Sequence, residues 1–311
     1  IRVANFYTLC KYIYMQIGPF EISEPIPELK NTVAFAMLKP WIDVGRVGSL
    51  VLNKLENHFE AKELTRLSTP GMYFDFTRYR PRLIMSGNKR TLSVPNTIIR
   101  YAYDNENDRS LLFLHIREPH MGGEDYASSI SNLLTYFNVK EYCRIGGMYD
   151  SVPHSRKLVV TGSLSEDQYA LADELITSRS SKYTGPTSIV NLVSENMANQ
   201  NCNVTSLMVH MPQYAKLEAD QMGVSRLLEC ICTIHNIDNS LSENSLGESQ
   251  YKEIDKAVAD NPEIQLLIKQ LEAYYDRSHN PYTEISGSKE SDLSPEIESF
   301  LNEMGGQFNQ K

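Results

Sequence analysis

Thr32–Leu38 reads TVAFAML, an uninterrupted apolar run of strand length. The segment that follows, Val44–Phe59, places apolar residues at steps of three and four, which is the stripe of an amphipathic helix. Apolar runs without polar alternation are typical of strands that are buried on both faces. A buried strand that leads into a helix is the start of a βαβ unit, so this stretch predicts an α/β fold.

Further strand and helix patterns alternate along the chain. Buried-type strands are predicted at Leu111–Ile116, Glu141–Ile145, Lys157–Thr161 and Val204–His210. Helices are predicted at residues 123–137, 165–176 and 223–235, and Ser165 with Gln168 fits a capping box at the start of the second. We therefore expect a mixed, mostly parallel sheet.

Residues 74–103 show a different pattern. Prolines stand on either side of two short β-rich runs, and Gly87-Asn88 separates these runs. Glycine and asparagine favour the tight turns that join antiparallel strands. We predict a β-hairpin excursion in this region and no helix.

The composition changes beyond Asn236. Residues 237–311 hold 15 acidic and 6 basic residues, whereas residues 1–236 hold 24 of each. A long acidic helix is predicted at Tyr251–Tyr275, with a break at Asn261-Pro262. Residues 276–294 are rich in Ser, Pro and Asn and predict a flexible tether, and Glu296–Met304 predicts a short amphipathic helix after it.

These shifts predict four segments in the chain. Residues 1–25 form an N-terminal extension, with Met15 as an alternative start. Residues 26–236 form the α/β core, and residues 237–276 form a linker with the acidic helical extension. Residues 277–311 form the tether and the C-terminal helix, and deletion of this segment is expected to leave the core folded.

Composition excludes several classes of protein. No stretch approaches the roughly 20 apolar residues of a membrane helix, so no membrane partner is expected. A neutral core with an acidic tail argues against nucleic acid as a partner. The five cysteines include no C-x-x-C pair, and the N-terminus lacks a signal-peptide pattern. These features predict reduced thiols and a cytoplasmic location.

Known catalytic motifs are mostly absent from the sequence. It contains no phosphate loop of the G-x-x-x-x-G-K-[ST] type, no G-x-G-x-x-G, no G-x-S-x-G and no H-E-x-x-H. His115 and His120 lie five residues apart across a strand end, which is a weak signal for a metal. We predict neither a metal site nor a cofactor.

Polar and aromatic residues follow several of the predicted strands. In open α/β sheets, sites form where the carboxyl ends of strands meet the loops. No catalytic residue is assigned firmly. If the chain is an enzyme or small-ligand binder, the candidates for acid–base roles are Asp43, Glu118 and His154, and Arg156 is the candidate for holding an anionic group. The predicted ligand-binding residues are Trp41, Arg156, Tyr183, Gly185, His210 and Tyr214.

Each of these residues also has a structural interpretation. Trp41 can anchor a core, and Asp43 can cap the helix that begins near Val44. Glu118 can hold a turn by accepting hydrogen bonds from the backbone. Asp150 and His154 can form an acid–base pair, or they can only fix the glycine-rich loop around them.

Residues 182–187 resemble a helix start, with Pro186 at the first helical position. The backbone N–H groups of this start can hold an anion, or the segment can simply join two helices.

Several co-linear segments resemble the PAC2 family, which is named for the proteasome assembly chaperones. They are Trp41-Ile42-Asp43-Val44-Gly45, Tyr73-Phe74-Asp75-Phe76 leading to Arg80-Pro81, Glu118-Pro119, Val152-Pro153-His154-Ser155-Arg156, Tyr183-Thr184-Gly185-Pro186-Thr187 and Met211-Pro212-Gln213-Tyr214. The resemblance covers about residues 27–276, and residues 293–304 also resemble the C-terminal helix of the bacterial branch.

The resemblance implies a three-layer α/β/α fold, similar to phosphorylase and hydrolase-like folds, with added C-terminal helices. It also implies homo-oligomers, with a trimer as one candidate state. Two functions stay open. The first is a non-enzymatic, assembly-chaperone-like module that binds itself and an unknown protein partner. The second is an enzyme or small-ligand binder of the hydrolase, phosphorylase or ATP-dependent carboligase type.

Overall fold

The computed structural model describes residues 14–178 and 185–278. The strands are β1 (Tyr14–Ile17), β2 (Phe20–Ser23), β3 (Val33–Lys39), β4 (Lys62–Leu67), β5 (Arg82–Ser86), β6 (Lys89–Ser93), β7 (Ile98–Asp104), β8 (Arg109–Arg117), β9 (Glu141–Asp150), β10 (Val160–Ser163), β11 (Thr177–Ser178) and β12 (Asn203–Pro212). The helices are α1 (Val47–His58), α2 (Gly123–Tyr136), α3 (Glu166–Ala172), α4 (Ile189–Ala198), α5 (Gln221–His235), α6 (Ser245–Ala259) and α7 (Pro262–Ser278).

The chain forms two compact units. Within the described residues, the first unit comprises 14–36, 56–142 and 187–203. The second comprises 37–55, 143–178, 185–186 and 204–278. Their residues alternate along the sequence, as expected where helices connect the strands of α/β proteins.

The first unit contains an antiparallel series of strands. β1 pairs with β2, β2 with β4, β4 with β7, and β7 with β8, all antiparallel. The core beneath these strands includes the fully buried rings of Phe113 and Tyr126. The Tyr126 hydroxyl shares a hydrogen bond with Thr97, so this buried polar group is satisfied. β1 and β2 belong to this sheet, although sequence patterns did not predict them.

The second unit combines parallel and antiparallel pairing. β10 lies antiparallel to β12 and parallel to β11, and Asp43 forms a parallel bridge with Gly147. Helix α5 is buried along much of its length, and its inner face includes Leu227, Leu228 and Ile231. The α/β class with a mixed sheet is as predicted.

Three local predictions are confirmed. Ser165 and Gln168 form a capping box at the start of α3. β5 and β6 form a two-stranded antiparallel sheet on either side of Gly87-Asn88. The acidic helix is broken at Asn261, where α6 and α7 separate.

Two predicted boundaries are wrong. The strand predicted to end at Ile145 continues to Asp150, so the paired glycines lie inside β9 and not in a loop. A Cβ on Gly146 would lie 2.5 Å from the carbonyl oxygen of Ile42, so glycine permits a close backbone approach here. Helix α4 begins at Ile189 and not at Pro186.

None of the described helices is long and apolar enough to cross a membrane. The predicted tether and the predicted helix Glu296–Met304 lie outside the described residues.

Candidate functional site

Asp43 lies between β3 and α1, where it caps the helix. Its Oδ1 accepts a hydrogen bond from the backbone N–H of Ser49 at 2.8 Å, and its Oδ2 accepts one from the Ser49 hydroxyl at 2.5 Å. Both carboxylate oxygens therefore satisfy groups in the first turn of α1. This geometry matches the capping interpretation of Asp43.

Trp41 is a surface residue and not a core anchor. The relative exposure of Trp41 is 67%, so this large aromatic side chain lies in solvent, two positions before Asp43. Exposed aromatic side chains are frequent contributors to binding surfaces.

Glu118 follows β8 in the first unit and caps α4. Its two carboxylate oxygens lie 3.1 and 3.2 Å from the backbone nitrogen of Ile189, the first residue of the helix. Ser188, at the N-cap position, makes no capping bond with its side chain, so Glu118 supplies that bond. Burial raises the pKa of Glu118, and the hydrogen bond from Ile189 opposes this effect.

His154 is a buried residue held from both ring nitrogens. Its Nδ1 lies 2.6 Å from the Tyr214 hydroxyl, and its Nε2 lies 2.9 Å from Asp255 Oδ1. The backbone N–H of His154 donates to the same Tyr214 hydroxyl at 2.7 Å. Since Asp255 only accepts when ionised, Nε2 carries the proton, and Nδ1 accepts from Tyr214. Burial raises the pKa of Tyr214, which keeps its donor proton in place.

Tyr251 of α6 packs against this histidine. The Tyr251 and His154 rings meet edge to face with centroids 6.0 Å apart. The Tyr251 hydroxyl donates to Asp220 at 3.0 Å, and Asp220 in turn accepts from Gly223 at the start of α5. Burial raises the pKa of the Asp220 carboxyl, and these hydrogen bonds oppose the shift. The ring contact thus places two hydrogen-bonded groups side by side in the second unit.

His210 is the centre of a second network. Asp150 Oδ2 lies 2.7 Å from His210 Nδ1, and Thr161 Oγ1 lies 2.8 Å from His210 Nε2. A neutral ring that donates from Nδ1 to the carboxylate leaves Nε2 free to accept from the hydroxyl. This carboxylate–imidazole–hydroxyl order is the one that activates hydroxyl nucleophiles. One interpretation of the sequence pairs Asp150 with His154. In the structure the carboxylate of Asp150 contacts His210 instead.

Arg156 is bound by the acidic helix α7. Its guanidinium makes two hydrogen bonds to Asp276, at 2.8 and 2.9 Å, and a longer one to Glu272 at 3.3 Å. The neighbouring Ser155 hydroxyl also donates to Glu272, at 2.5 Å. The hydrogen bond with Asp276 raises the pKa of Arg156. We predicted that this guanidinium could hold an anionic group, but it already forms hydrogen bonds with carboxylates of the chain itself.

A cavity of about 830 Å³ lies beside this loop, between the segment from His154 to Leu158 and helix α5. The buried Arg226 projects towards it, but its guanidinium donates to the Leu158 carbonyl at 2.8 Å and to Glu229 at 2.6 Å. Lys157 also pairs with Glu229, at 3.2 Å. The charges that line this cavity are thus already paired.

Gly185 is exposed and lies before α4, outside any helix or strand. Tyr183 lies outside the described residues, so its predicted role stays a prediction.

A family model described as the PAC2 family matches residues 37–259. The chain belongs to the PAC2 family. The match spans both units and includes the two histidine networks, helix α1 with Asp43, and all of α6.

Solved structures share the fold of this PAC2 protein. A protein of unknown function from Corynebacterium glutamicum is 21% identical with a TM-score of 0.71, over 83% of this chain and 97% of that one. A proteasome-assembly chaperone homologue from Mycobacterium tuberculosis is 19% identical with a TM-score of 0.66, over 76% and 99%. An archaeal proteasome activator from Pyrococcus furiosus is 13% identical with a TM-score of 0.58, over 77% and 96%. No curated protein matches.

Sequence patterns missed several members of the PAC2 protein's networks. Asp220 has a local signal, because an aspartate three residues before Gly223 is a helix N-cap pattern. Tyr251 and Asp255 have no such signal, because the composition of their helix indicates only that it is acidic. Thr161 reads as an ordinary strand residue, and only the pairing of β10 with β12 brings it to His210.

Proposed function

We propose that this PAC2 family protein is a non-enzymatic interaction module that resembles the assembly chaperones, forms homo-oligomers and binds another protein. Its membership of the family supports this function, together with its likeness in fold to a proteasome-assembly chaperone homologue and to a proteasome activator. We expect it to act in the cytoplasm, with a trimer as one candidate assembly.

One observation carries the proposal. The groups predicted to do acid–base chemistry are each engaged by the protein itself. Asp43 caps α1, Glu118 caps α4, and His154 is held between Tyr214 and Asp255. Groups held in this way contribute to a stable scaffold, and a scaffold is what an interaction module presents to its partner.

The test is purification of the tagged, full-length protein from its native host at mild ionic strength. The proposal predicts a protein partner that co-purifies in fixed stoichiometry. Light scattering of the isolated protein is expected to give a mass above that of the 35.4 kDa monomer. A strict monomer without a stoichiometric partner would contradict the proposal.

The second candidate function is an enzyme, and the arrangement of Asp150, His210 and Thr161 favours it. In this order the imidazole can take the proton of Thr161 while its oxygen attacks an ester or amide carbonyl. The acyl group would bond to Oγ1, His210 would return the proton to the leaving group, and water would then release the acid. The test is labelling by a fluorophosphonate probe, followed by mass spectrometry. A probe adduct on Thr161 that disappears in Thr161→Val supports the enzyme, and an unlabelled Thr161 rejects it.

A further inference from the structure

The segment Ser155–Lys157, which we call the arginine loop, is bound by helix α7 within the second unit. The Ser155 hydroxyl donates to Glu272 at 2.5 Å, and the Arg156 guanidinium donates to Asp276 at 2.8 and 2.9 Å. Both acceptors are carboxylates, and both belong to one helix. Paired bonds between a guanidinium and a carboxylate are specific in geometry as well as in charge. The arginine loop thus recognises carboxylates that a helix presents.

The helix in this contact presents its carboxylates in a defined pattern. Glu272 and Asp276 are four residues apart on α7, so they lie on one face and are separated by roughly 6 Å along the helix axis. Leu267, Ile268 and Leu271 of the same helix are buried. The arginine loop is therefore occupied by an amphipathic helix that carries two carboxylates one turn apart beside an apolar face.

The polar contacts between the arginine loop and α7 are accessible to solvent. The side chains of Arg156 and Asp276 are 35% and 53% exposed. Accessible ion pairs of this kind contribute little to stability. Water can therefore separate the two groups, and carboxylates of another molecule can replace those of α7.

The arginine loop lies within the segment that matches the PAC2 family, whereas α7 lies beyond it. The match ends at residue 259, and α7 begins at Pro262 after a connection of two residues, Asp260 and Asn261. The family pattern thus contains the loop without the helix that occupies it in this chain. This difference separates the site from its present occupant.

The cavity beside the arginine loop has an excess of positive charge that the carboxylates of α7 offset. Its charged lining residues are Arg156, Lys157, Arg226 and a single carboxylate, Glu229. Glu229 pairs with both Lys157 and Arg226. When α7 leaves, this lining keeps a net charge of two positive units. A ligand with two carboxylates is complementary to it.

We infer that the arginine loop is a docking site for an acidic amphipathic helix of a protein partner, and that α7 occupies this site as an autoinhibitory segment. The partner helix presents two carboxylates one turn apart to Ser155 and Arg156, and its apolar face takes the place of Leu267 and Leu271. The inference rests on the proposed function, because it names the chemistry of the partner. Its test uses the isolated protein, so its failure leaves the predicted co-purification and oligomeric state untouched.

The test is fluorescence anisotropy of the full-length protein with a labelled peptide of residues 262–278. In a variant with Glu272→Lys and Asp276→Lys, the chain's own helix carries the same charge as Arg156 and is expected to leave the loop. The peptide is expected to bind this variant at least about tenfold more tightly than wild type, where α7 competes at a high effective concentration.

A charge-matched control carries Glu253→Lys and Glu263→Lys. Both glutamates are exposed, the first on α6 and the second in the first turn of α7. This control changes the net charge by the same amount and leaves the carboxylates at the arginine loop in place, so its affinity is expected to match wild type. Equal affinity of the two charge-reversed proteins, or no binding to the first variant, would overturn the inference.

The role of the guanidinium is tested by adding Arg156→Glu to the variant with Glu272→Lys and Asp276→Lys. The charges of the pair are then exchanged, so α7 is expected to return and the acidic peptide to bind at least about tenfold more weakly. Amide hydrogen exchange within residues 262–278 is expected to fall back to the wild-type rate. Undiminished binding of the peptide would show that it binds elsewhere and would reject the arginine loop as its site.

A designed amphipathic helix tests the class of ligand. It shares with α7 only an apolar face and two carboxylates one turn apart, and it is expected to bind the undocked variant at least about tenfold more tightly than a version with the carboxylates on the opposite face. In excess over wild type, it is expected to raise amide exchange within residues 262–278. Failure of the designed helix to bind, or equal displacement of the labelled peptide by inorganic phosphate at the same concentration, would reject the partner helix.

Discussion

Arg156 and Asp276 lie 120 residues apart in the sequence and are joined by two parallel hydrogen bonds, Nε to Oδ1 at 2.8 Å and Nη2 to Oδ2 at 2.9 Å. Paired bonds between a guanidinium and a carboxylate fix orientation as well as distance. Together with Glu272 on Ser155, they hold α7 against the loop that follows β9. The last described helix of the chain is thus attached to a predicted ligand-binding residue.

Arg156→Ala is expected to loosen α7 without unfolding the protein. The pair is accessible to solvent, and ion pairs of this kind contribute little to global stability. Amide hydrogen exchange within residues 262–278 is expected to rise clearly, while the denaturation midpoint changes little. Lys256→Ala breaks an exposed pair within α6 and provides the matched control. Unchanged exchange in α7 would show that other contacts hold it.

The strength of local patterns explains how much of this fold the sequence predicts. Apolar runs such as Thr32–Leu38, the capping box at Ser165 and the break at Asn261 are set by neighbours within a few residues, and all are observed. The paired carboxylate of Arg156 and the partner of Asp150 come from distant segments. No local pattern encodes which helix face or strand register will bring such groups together, so the networks emerge only from tertiary packing.

Thr161→Val is expected to destabilise the protein by about 1–3 kcal/mol. Valine keeps the shape of threonine and suits a strand, but it removes the hydroxyl hydrogen bond to Nε2 of the buried His210. In this variant Nε2 of His210 is buried without a hydrogen-bond partner, and the free energy of removing it from water is no longer offset. Urea denaturation provides the measurement, and Thr161→Ser, which keeps the hydroxyl, is the control. Equal stability of the two variants would show that water replaces the lost bond.

Glu118→Ala is expected to lower stability by about 0.5–2 kcal/mol, because it removes the side-chain hydrogen bond to the first backbone N–H of α4, where Ser188 makes no capping bond. Glu118→Gln keeps an acceptor oxygen and is expected to lose less. Glu124→Ala, a change in the first turn of α2, serves as the control for loss of a glutamate near a helix start. A loss in the control as large as in Glu118→Ala would argue against the cap.

The pH dependence of the same position has a definite sign. Burial raises the pKa of Glu118 above its ordinary value of 4.5, so the folded protein holds this proton more tightly than the unfolded chain. The stabilising effect of protonation is fully present below pH 4.5 and is lost as the pH rises through the raised pKa. Glutamine does not titrate, so the Glu118→Gln variant does not lose this stabilising free energy as the pH rises. Its stability relative to wild type is therefore expected to increase with pH across that window, as measured by urea denaturation at each pH.

Gly146→Ala is expected to destabilise the protein by about 1–3 kcal/mol through overpacking. The added Cβ would lie 2.5 Å from the Ile42 carbonyl oxygen, the atom that accepts the hydrogen bond from Gly147. Gly71→Ala, whose Cβ would meet only Phe76 at 3.4 Å, is expected to change stability by less than about 0.5 kcal/mol. Thermal denaturation compares the two, and a tolerated Gly146→Ala would mean that the backbone at Ile42 can shift.

The described cysteines are expected to be unreactive in the folded protein. Burial raises the pKa of Cys202 and Cys230 to about 11, and that of Cys232 to about 12. The thiolate is the reactive form, so at pH 8 a pKa of about 11 in place of 9 lowers its fraction about a hundredfold. In a Cys10→Ser background, Ellman's reagent should react slowly at pH 8 and faster towards pH 11, with full reaction in urea. Rapid reaction of the native protein at pH 8 would contradict the burial of these thiols.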